Sequence, residues 1–254
     1  MIYLENVEDI YKPKYVFIWL ISAFKAGFIN SAGFLATGKF VSHVTGFGTQ
    51  MGIAIGHEDY FFGAELLIIP VSFIFGGVIT SFVLDRNYKK GVIPPYFLIQ
   101  GLITLMIGLV IYTGQITEIN NMPFDADNKY TSIELFVISA LCLICGLKNS
   151  LVTWATFGKI RVTHLTGLST DIGLNLIRTF RKKFPHPRMK EYRVVNVVRI
   201  LIFITFSAGA VASAVIIPRT GYKGFILVFA ISLGMTLFSI KDFKDRSKDL
   251  NIKA

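Results

Sequence analysis

Residues Ala26–Gly52 read AGFINSAGFLATGKFVSHVTGFGTQMG, and residues Cys145–Gly173 read CGLKNSLVTWATFGKIRVTHLTGLSTDIG. The two stretches are one pattern written twice. Gly27, Asn30, Ser31, Ala36, Thr37, Gly38 and Lys39 match Gly146, Asn149, Ser150, Ala155, Thr156, Gly158 and Lys159. His43, Thr45, Gly46, Thr49 and Gly52 match His164, Thr166, Gly167, Thr170 and Gly173. The offset drifts between the two blocks, as an insertion in a loop produces. The chain reads as a tandem duplication, with residues 1–120 as the first repeat and 121–254 as the second, together forming one integrated unit.

Each copy sits among long apolar runs. The chain is 53% hydrophobic and 17% charged, against about 25% charged in soluble domains, and its mean hydropathy is +0.58. The first half offers apolar segments at Lys14–Thr37, Val44–Gly56, Phe62–Leu84 and Ile93–Tyr112. The second offers Ser132–Ala155, Leu165–Leu176, Val194–Ile217 and Gly224–Ile240. Several approach the ~20 residues needed to cross a ~30 Å hydrocarbon core, so a soluble core is excluded. The N-terminus carries Glu5, Glu8 and Asp9, unlike the basic start of a cleavable signal. The first apolar run is therefore read as a retained span.

The second segment of each half is short, glycine-rich and opens with His-x-Thr-Gly. Such a length suits a piece that dips into the membrane and returns. Charge supports that choice. If all eight segments crossed, the basic stretches Asp85–Gly91 and Arg178–Arg193 would face opposite sides. If the two short segments are re-entrant, both basic stretches and both termini fall on the cytoplasmic side. The acidic connection Thr113–Thr131 then falls outside, as the positive-inside rule requires. The expectation is an all-α integral membrane protein with an inverted 3+3 transmembrane repeat and two discontinuous half-helices. It would be a multi-pass protein of a bacterial inner membrane. The net charge of +10 is explained by topology and contact with anionic lipid, so no nucleic-acid partner is read from it.

Candidate site residues come from the paired motifs. Inverted repeats with broken helices place binding sites near the midplane, where helix N-termini face the solute. Thr45, Thr49, Thr166 and Thr170 would supply hydroxyls there, with Ser42 or Thr45 and Thr163 or Thr166 as helix caps. A capped, close-packed helix is the blander reading, and Gly48, Gly52 and Gly56 form a ridge suited to close packing. Asn30 and Asn149 would complete a substrate site or act as glue between helices. His43 and His164 stand at each motif's mouth as pH gates, proton carriers or ordinary hydrogen-bonding residues. Asp171, whose repeat partner is the neutral Gln50, is an acid at membrane depth and so a candidate proton or ion carrier. Lys148 is read as its partner, while Lys25 and Arg199 are read as snorkelling from span ends.

Other chemistry is not signalled. Cys142-x-x-Cys145 lies in an apolar run without nearby His or acid, so it reads as packing and not as a metal or redox site. No phosphate-binding glycine loop, H-E-x-x-H or G-x-S-x-G is present. No cofactor, metal or enzymatic activity is expected.

The motif blocks resemble those of the YoaK-like family of bacterial six-helix membrane proteins, a domain of unknown function. Its first block resembles A-G-x-x-D-A-x-G-F-L followed by F-V-S-x-M-T-G-N, here Ala26–Leu35 and Phe40–Phe47. Its second resembles G-L-x-N-A and L-T-G-x-x-T-D, here Gly146–Ser150 and Leu165–Asp171. Asn30 stands where an Asp is common and Phe47 where an Asn is common. The resemblance implies the six-span architecture and brings no substrate.

The expected function is a transporter of a small polar or anionic solute, proton-coupled in one form, with a midplane site between the two T-G-x-x-T half-helices. A passive channel of the opposed half-helix type is the nearest alternative. A membrane enzyme or sensory component is the rival from another class. The expected partners are that solute and the lipid bilayer, with self-association left open.

Overall fold

In the computed structural model the described residues are 7–88, 93–116, 132–180 and 189–253. They form α1 (Pro13–Thr37), α2 (Val44–Gly56), α3 (Tyr60–Tyr88), α4 (Tyr96–Ile116), α5 (Ser132–Ala155), α6 (Leu165–Phe180), α7 (Met189–Thr220) and α8 (Ile226–Lys253). Short 3-10 turns at Val7–Tyr11 and Gly221–Phe225 precede α1 and join α7 to α8. No strand occurs among the described residues. Much of the basic stretches 85–91 and 178–193, the acidic connection 113–131 and the boundary at 120/121 lie outside the described residues.

The ends of the helices follow local chemistry. Pro13 starts α1, where its missing N–H is not needed. Gly38, at φ +66°, ends it by donating its N–H to the Phe34 carbonyl. Gly158, at φ +76°, takes the matching place after α5.

Five stretches are long and apolar enough to cross a membrane: Pro13–Thr37, Tyr60–Arg86, Tyr96–Ile116, Ser132–Ala155 and Arg193–Lys248. The last holds 56 residues and includes both α7 and α8. It doubles back. Lys25 Nζ on α1 donates to Ser232 Oγ at 2.8 Å, while the backbone of Gly27, half a turn away, touches the carbonyl of Phe206. On one straight helix residues 206 and 232 would stand roughly 39 Å apart at 1.5 Å per residue. The chain must therefore reverse at Gly221–Phe225, where Gly221 adopts φ +57°. That leaves six long apolar helices beside the shorter α2 and α6.

Large apolar side chains point outward along these helices, with Phe61 89%, Phe82 70% and Leu105 68% exposed. Water would penalise so broad an apolar surface, and lipid does not. The chain is a multi-pass membrane protein. Burial separates the helices into two kinds. The spans in α1 and α5 are 67% and 72% buried, against 22% for α3 and 28% for the α7–α8 run. The first helix of each half is thus the centre of the bundle.

The halves interlock. The most extensive pairings are α1 with α7 and α3 with α5, so each first helix packs on the other half's third. Backbone touches backbone at both crossings. A Cβ on Gly27 would meet the Phe206 carbonyl oxygen at 1.9 Å, and one on Gly146 would meet that of Phe73 at 2.1 Å. Gly209 against Phe24 and Gly76 against Leu143 repeat the relation from the other side.

Contacts also set directions. Tyr96 Oη donates to Asp242 at 2.6 Å, Gln100 Nε2 to Ser232 Oγ at 3.0 Å, and Gly114 abuts Tyr222, so α4 and α8 run antiparallel. Phe28 meets Phe225 edge-on, and three residues earlier in α1 Lys25 reaches Ser232 and Met235, further along the chain, so α1 and α8 are antiparallel too. Gly77 faces Ser150 and Trp154 Nε1 donates to Asp85 at 2.7 Å, so α3 and α5 run parallel.

Two charged residues sit elsewhere than their sequence positions suggested. Lys25 does not snorkel: it is 1% exposed and reaches into the core towards α8. Asp171 does not pair with Lys148. It meets Arg199 at 2.7 Å, because α6 packs on α7 while Lys148 projects from α5 into the buried interior.

Candidate functional site: two unequal mouths

A cleft of about 410 Å³ opens between α3, α5 and the loop from α5 to α6. Gly77, Thr80 and Ser81 form its α3 wall, and Asn149, Ser150, Thr153 and Trp154 its α5 wall, with Arg161 and His164 at the rim. The wall exists because α3 and α5 cross at glycines, which lets hydroxyl-bearing faces approach each other.

Polar groups in the cleft are ordered by named contacts. Asn149, 7% exposed, places Nδ2 at 2.9 Å from His164 Nε2. An amide NH₂ is a donor, so the facing ring nitrogen accepts and the imidazole is neutral in this arrangement. Burial, and after it the Arg161 guanidinium, pulls the His164 pKa below its usual 6.5. Asn149 Oδ1 and Thr163 Oγ1 are buried without partners among the described residues. Asp85 accepts from Trp154 Nε1 and from Ser81 Oγ, which ties the end of α3 to the end of α5.

The first half builds an equivalent mouth with different chemistry. Asn30 Oδ1 accepts from the Ser42 N–H at 3.1 Å and the Ser42 Oγ at 2.8 Å. This is the counterpart of Asn149 holding His164, one residue displaced. The expected capping by Ser42 or Thr45 is not made: His43 is the N-cap of α2, with no side-chain cap bond. Hydrogen bonds also revise the register of the repeat. Thr37 Oγ1 accepts from the Lys39 N–H, and Thr156 Oγ1 from the Ile160 N–H. Lys39 therefore corresponds to Ile160, not Lys159, because the second turn carries two extra residues, one of them Phe157 at φ +50°. Phe40 then falls opposite Arg161. Phe34, counterpart of Thr153, stacks on Phe40 with ring centroids 4.3 Å apart, and Phe40 leans on His43 at 5.2 Å. One mouth is a basic cleft, and the other holds an aromatic stack.

The sequence-derived residues divide accordingly. Asn149 and His164 come together, and Asn30 lies beside the turn leading to His43. Thr45, Thr49, Thr166 and Thr170 are all exposed and are not brought together. Thr49 and Thr170 each give their hydroxyl to a carbonyl one turn back, at 3.2 Å. α2 packs on α3 and α6 on α7, and the two short helices make no contact with each other. The four threonines therefore do not share one site in this arrangement. Nor does the glycine ridge pack: added Cβ atoms on Gly48, Gly52 and Gly56 would meet nothing within 4 Å. Cys142 and Cys145 are buried and free, as packing residues.

Sequence reasoning passed over Arg161, Thr80, Ser81, Trp154 and Asp85. A gap placed one residue differently in the repeat would have set Arg161 against a phenylalanine and marked it. Asp85 was absorbed into a charge count for a loop.

Residues 18–238 match the model of a family described as "Protein of unknown function (DUF1275)". No curated protein and no solved structure matches the chain.

Proposed function

The chain belongs to the DUF1275 family, and we propose that it is a secondary transporter of a small polar or anionic solute, with the Asn149–His164–Arg161 cleft as one entrance. The carrying observation is the pair of equivalent mouths in unequal states, one an open basic cleft and the other an aromatic stack. Alternating access needs such a pair, reached from opposite sides of one central bundle.

We also read the repeat as inverted. α1 and α4 both oppose α8. Residues 89–95 can span at most roughly 25 Å, less than the ~31 Å length of α4, so α4 begins where α3 ends. α3 thus opposes α1, and α5, parallel to α3, opposes α1 as well. The basic stretches 85–91 and 178–193 then attach at the same end of the bundle, which fits a cytoplasmic face. α2 and α6, at roughly 20 and 24 Å, are too short to cross the hydrocarbon core and are read as re-entrant. The bacterial inner membrane, cytoplasmic termini and the YoaK-like affinity belong to this same reading, and the Asp171–Arg199 pair is its proposed coupling element.

Reporter fusions at Glu118 and Lys182 test the topology, since both on one side would end the inverted reading. Purified protein in vesicles tests the activity. Accumulation against a gradient supports a carrier, and purely downhill flux would favour the channel alternative.

A further inference from the structure

Among the described residues, Lys25 and Lys148 are the only charged side chains in the buried set, at 1% and 3% exposure. They enter the interior from α1 and α5, the two central helices, which touch each other. Each lies within the electrostatic reach of the other. Among the described residues no carboxylate pairs with either one. Lys25 Nζ has a hydroxyl, Ser232 Oγ, and a thioether, Met235 Sδ at 3.9 Å. Lys148 Nζ has no hydrogen-bond partner among the described residues.

The surroundings are polar but neutral. Ser232 Oγ also receives Gln100 Nε2 at 3.0 Å and Thr104 Oγ1 at 2.9 Å, and Thr104 and Thr236 hydroxyls lie 2.9 Å apart. A buried ammonium without a counter-ion is strongly unfavourable, and a like charge nearby adds to it. Hydroxyls and amides do not repay that. A structural ion pair would have put an acid here, and a packing role would be served by an uncharged chain. The missing component is negative charge.

We infer that Lys25 and Lys148 form a central binding site for a small anion, the solute class of the proposed transporter. This rests on the transport reading and sharpens it. Lys148 immediately precedes Asn149, whose side chain lines the basic cleft, so the lysine lies one residue in chain from the entrance, on its core side. Arg161 and His164 at the rim would collect the anion, and the two ammonium groups would hold it.

The test uses the full chain in detergent, with chloride, acetate and inorganic phosphate titrated separately at constant ionic strength against a bulky organic anion. At least one should raise the thermal midpoint saturably, as ligand linkage requires. Lys148→Met and Lys25→Met should weaken that response about tenfold or more, since each removes a charged donor. Lys148→Arg should keep it, and Lys14→Met, at an exposed site, should leave it unchanged. Lys148→Gln replaces the Met variant if that fails to fold. No saturable response in the wild type to any of the three anions, or an equal response in the Met variants, would overturn the inference. Vesicle flux separates the two readings. Anion binding without flux of any solute removes the transporter and leaves the anion site. Flux of neutral glycerol without anion binding removes the anion site and leaves the transporter.

Discussion

Phe40 and Arg161 hold the same place in the two halves. Each follows the residue whose backbone N–H is tied to the threonine ending a central helix, Thr37 through Lys39 and Thr156 through Ile160. One side chain stacks on Phe34 and leans on His43, and the other rims a polar cleft. A duplicated backbone thus carries two mouths of opposite character, and the difference lies in side chains, where selection can tune it without disturbing the bundle.

The bundle itself depends on glycines at the crossings. In Gly27→Ala and Gly146→Ala the new methyl would meet a backbone carbonyl oxygen at 1.9 and 2.1 Å, which no side-chain rotation relieves. Each should cost about 1–3 kcal/mol, the range for overpacking. Gly48→Ala and Gly52→Ala meet nothing and should be neutral or stabilising by up to ~1 kcal/mol through helix propensity. Thermal midpoints in detergent compare the four. Equal losses at all four positions would contradict the close crossings.

Asp171 and Arg199 link α6 to α7 at 2.7 Å, with the Asp171 side chain 49% exposed. A half-exposed pair of this kind stabilises by only about 0–1 kcal/mol. Asp171→Asn should therefore leave the unfolding midpoint nearly unchanged. If the pair couples transport to protons, that variant should still exchange solute but cease to accumulate it under a pH gradient. Undiminished gradient-driven accumulation by Asp171→Asn removes the coupling role.

Much of this fold was legible in the pattern of residues. α2 begins and ends at Val44 and Gly56 and α5 at Ser132 and Ala155, where apolar run, motif and small residues had placed them. The motifs named Asn149 and His164 separately, and only the structure brings them to 2.9 Å. What was not legible was rotation about helix axes. Lys25 looked like a snorkelling residue because its distance from the span's end said nothing of the face it occupies. Asp171 and Lys148 looked like partners because they share a half, yet α6 lies on α7 and not on α5. The register slip at Phe157 hid Arg161, since a positive φ outside glycine leaves no mark in a periodicity.

His164 gives a pH dependence with a definite sign. Its native pKa lies below the usual 6.5, through burial first and Arg161 second. As pH falls from neutrality, the unfolded chain takes up the proton before the native one does. The contribution to stability is thus fully present above the unfolded value and is lost as pH falls below it towards the native value. Protonation would also turn Nε2 into a donor facing the Asn149 amide NH₂. His164→Gln should flatten the wild-type fall in unfolding midpoint between roughly pH 7 and 5. Superimposable pH profiles for the two proteins would remove His164 as the titrating group.

Arg161→Phe rebuilds at the second mouth the side chain that stands at the first. Arg161 is exposed and makes no described hydrogen bond, so the change should barely move the unfolding midpoint. Its effect should fall on entry. The guanidinium offers a charge-assisted hydrogen bond worth about 1.5–3 kcal/mol, equivalent to roughly 10–150-fold in apparent affinity for an anionic solute. A raised half-saturating concentration with the maximal rate retained would mark Arg161 as a collecting group at the rim. Arg161→Lys keeps the charge and loses the fork, so it should fall between wild type and Arg161→Phe. Adding Thr153→Phe would supply the second ring of the Phe34–Phe40 stack and should close the cleft, lowering the maximal rate as well. The reciprocal Phe40→Arg should have its effect only on solute presented from the opposite face of the vesicle. Initial flux rates against concentration, measured with solute on each side in turn, separate these outcomes. If Arg161→Phe transports as well as wild type from both sides, the cleft is not the route and the entrance lies elsewhere.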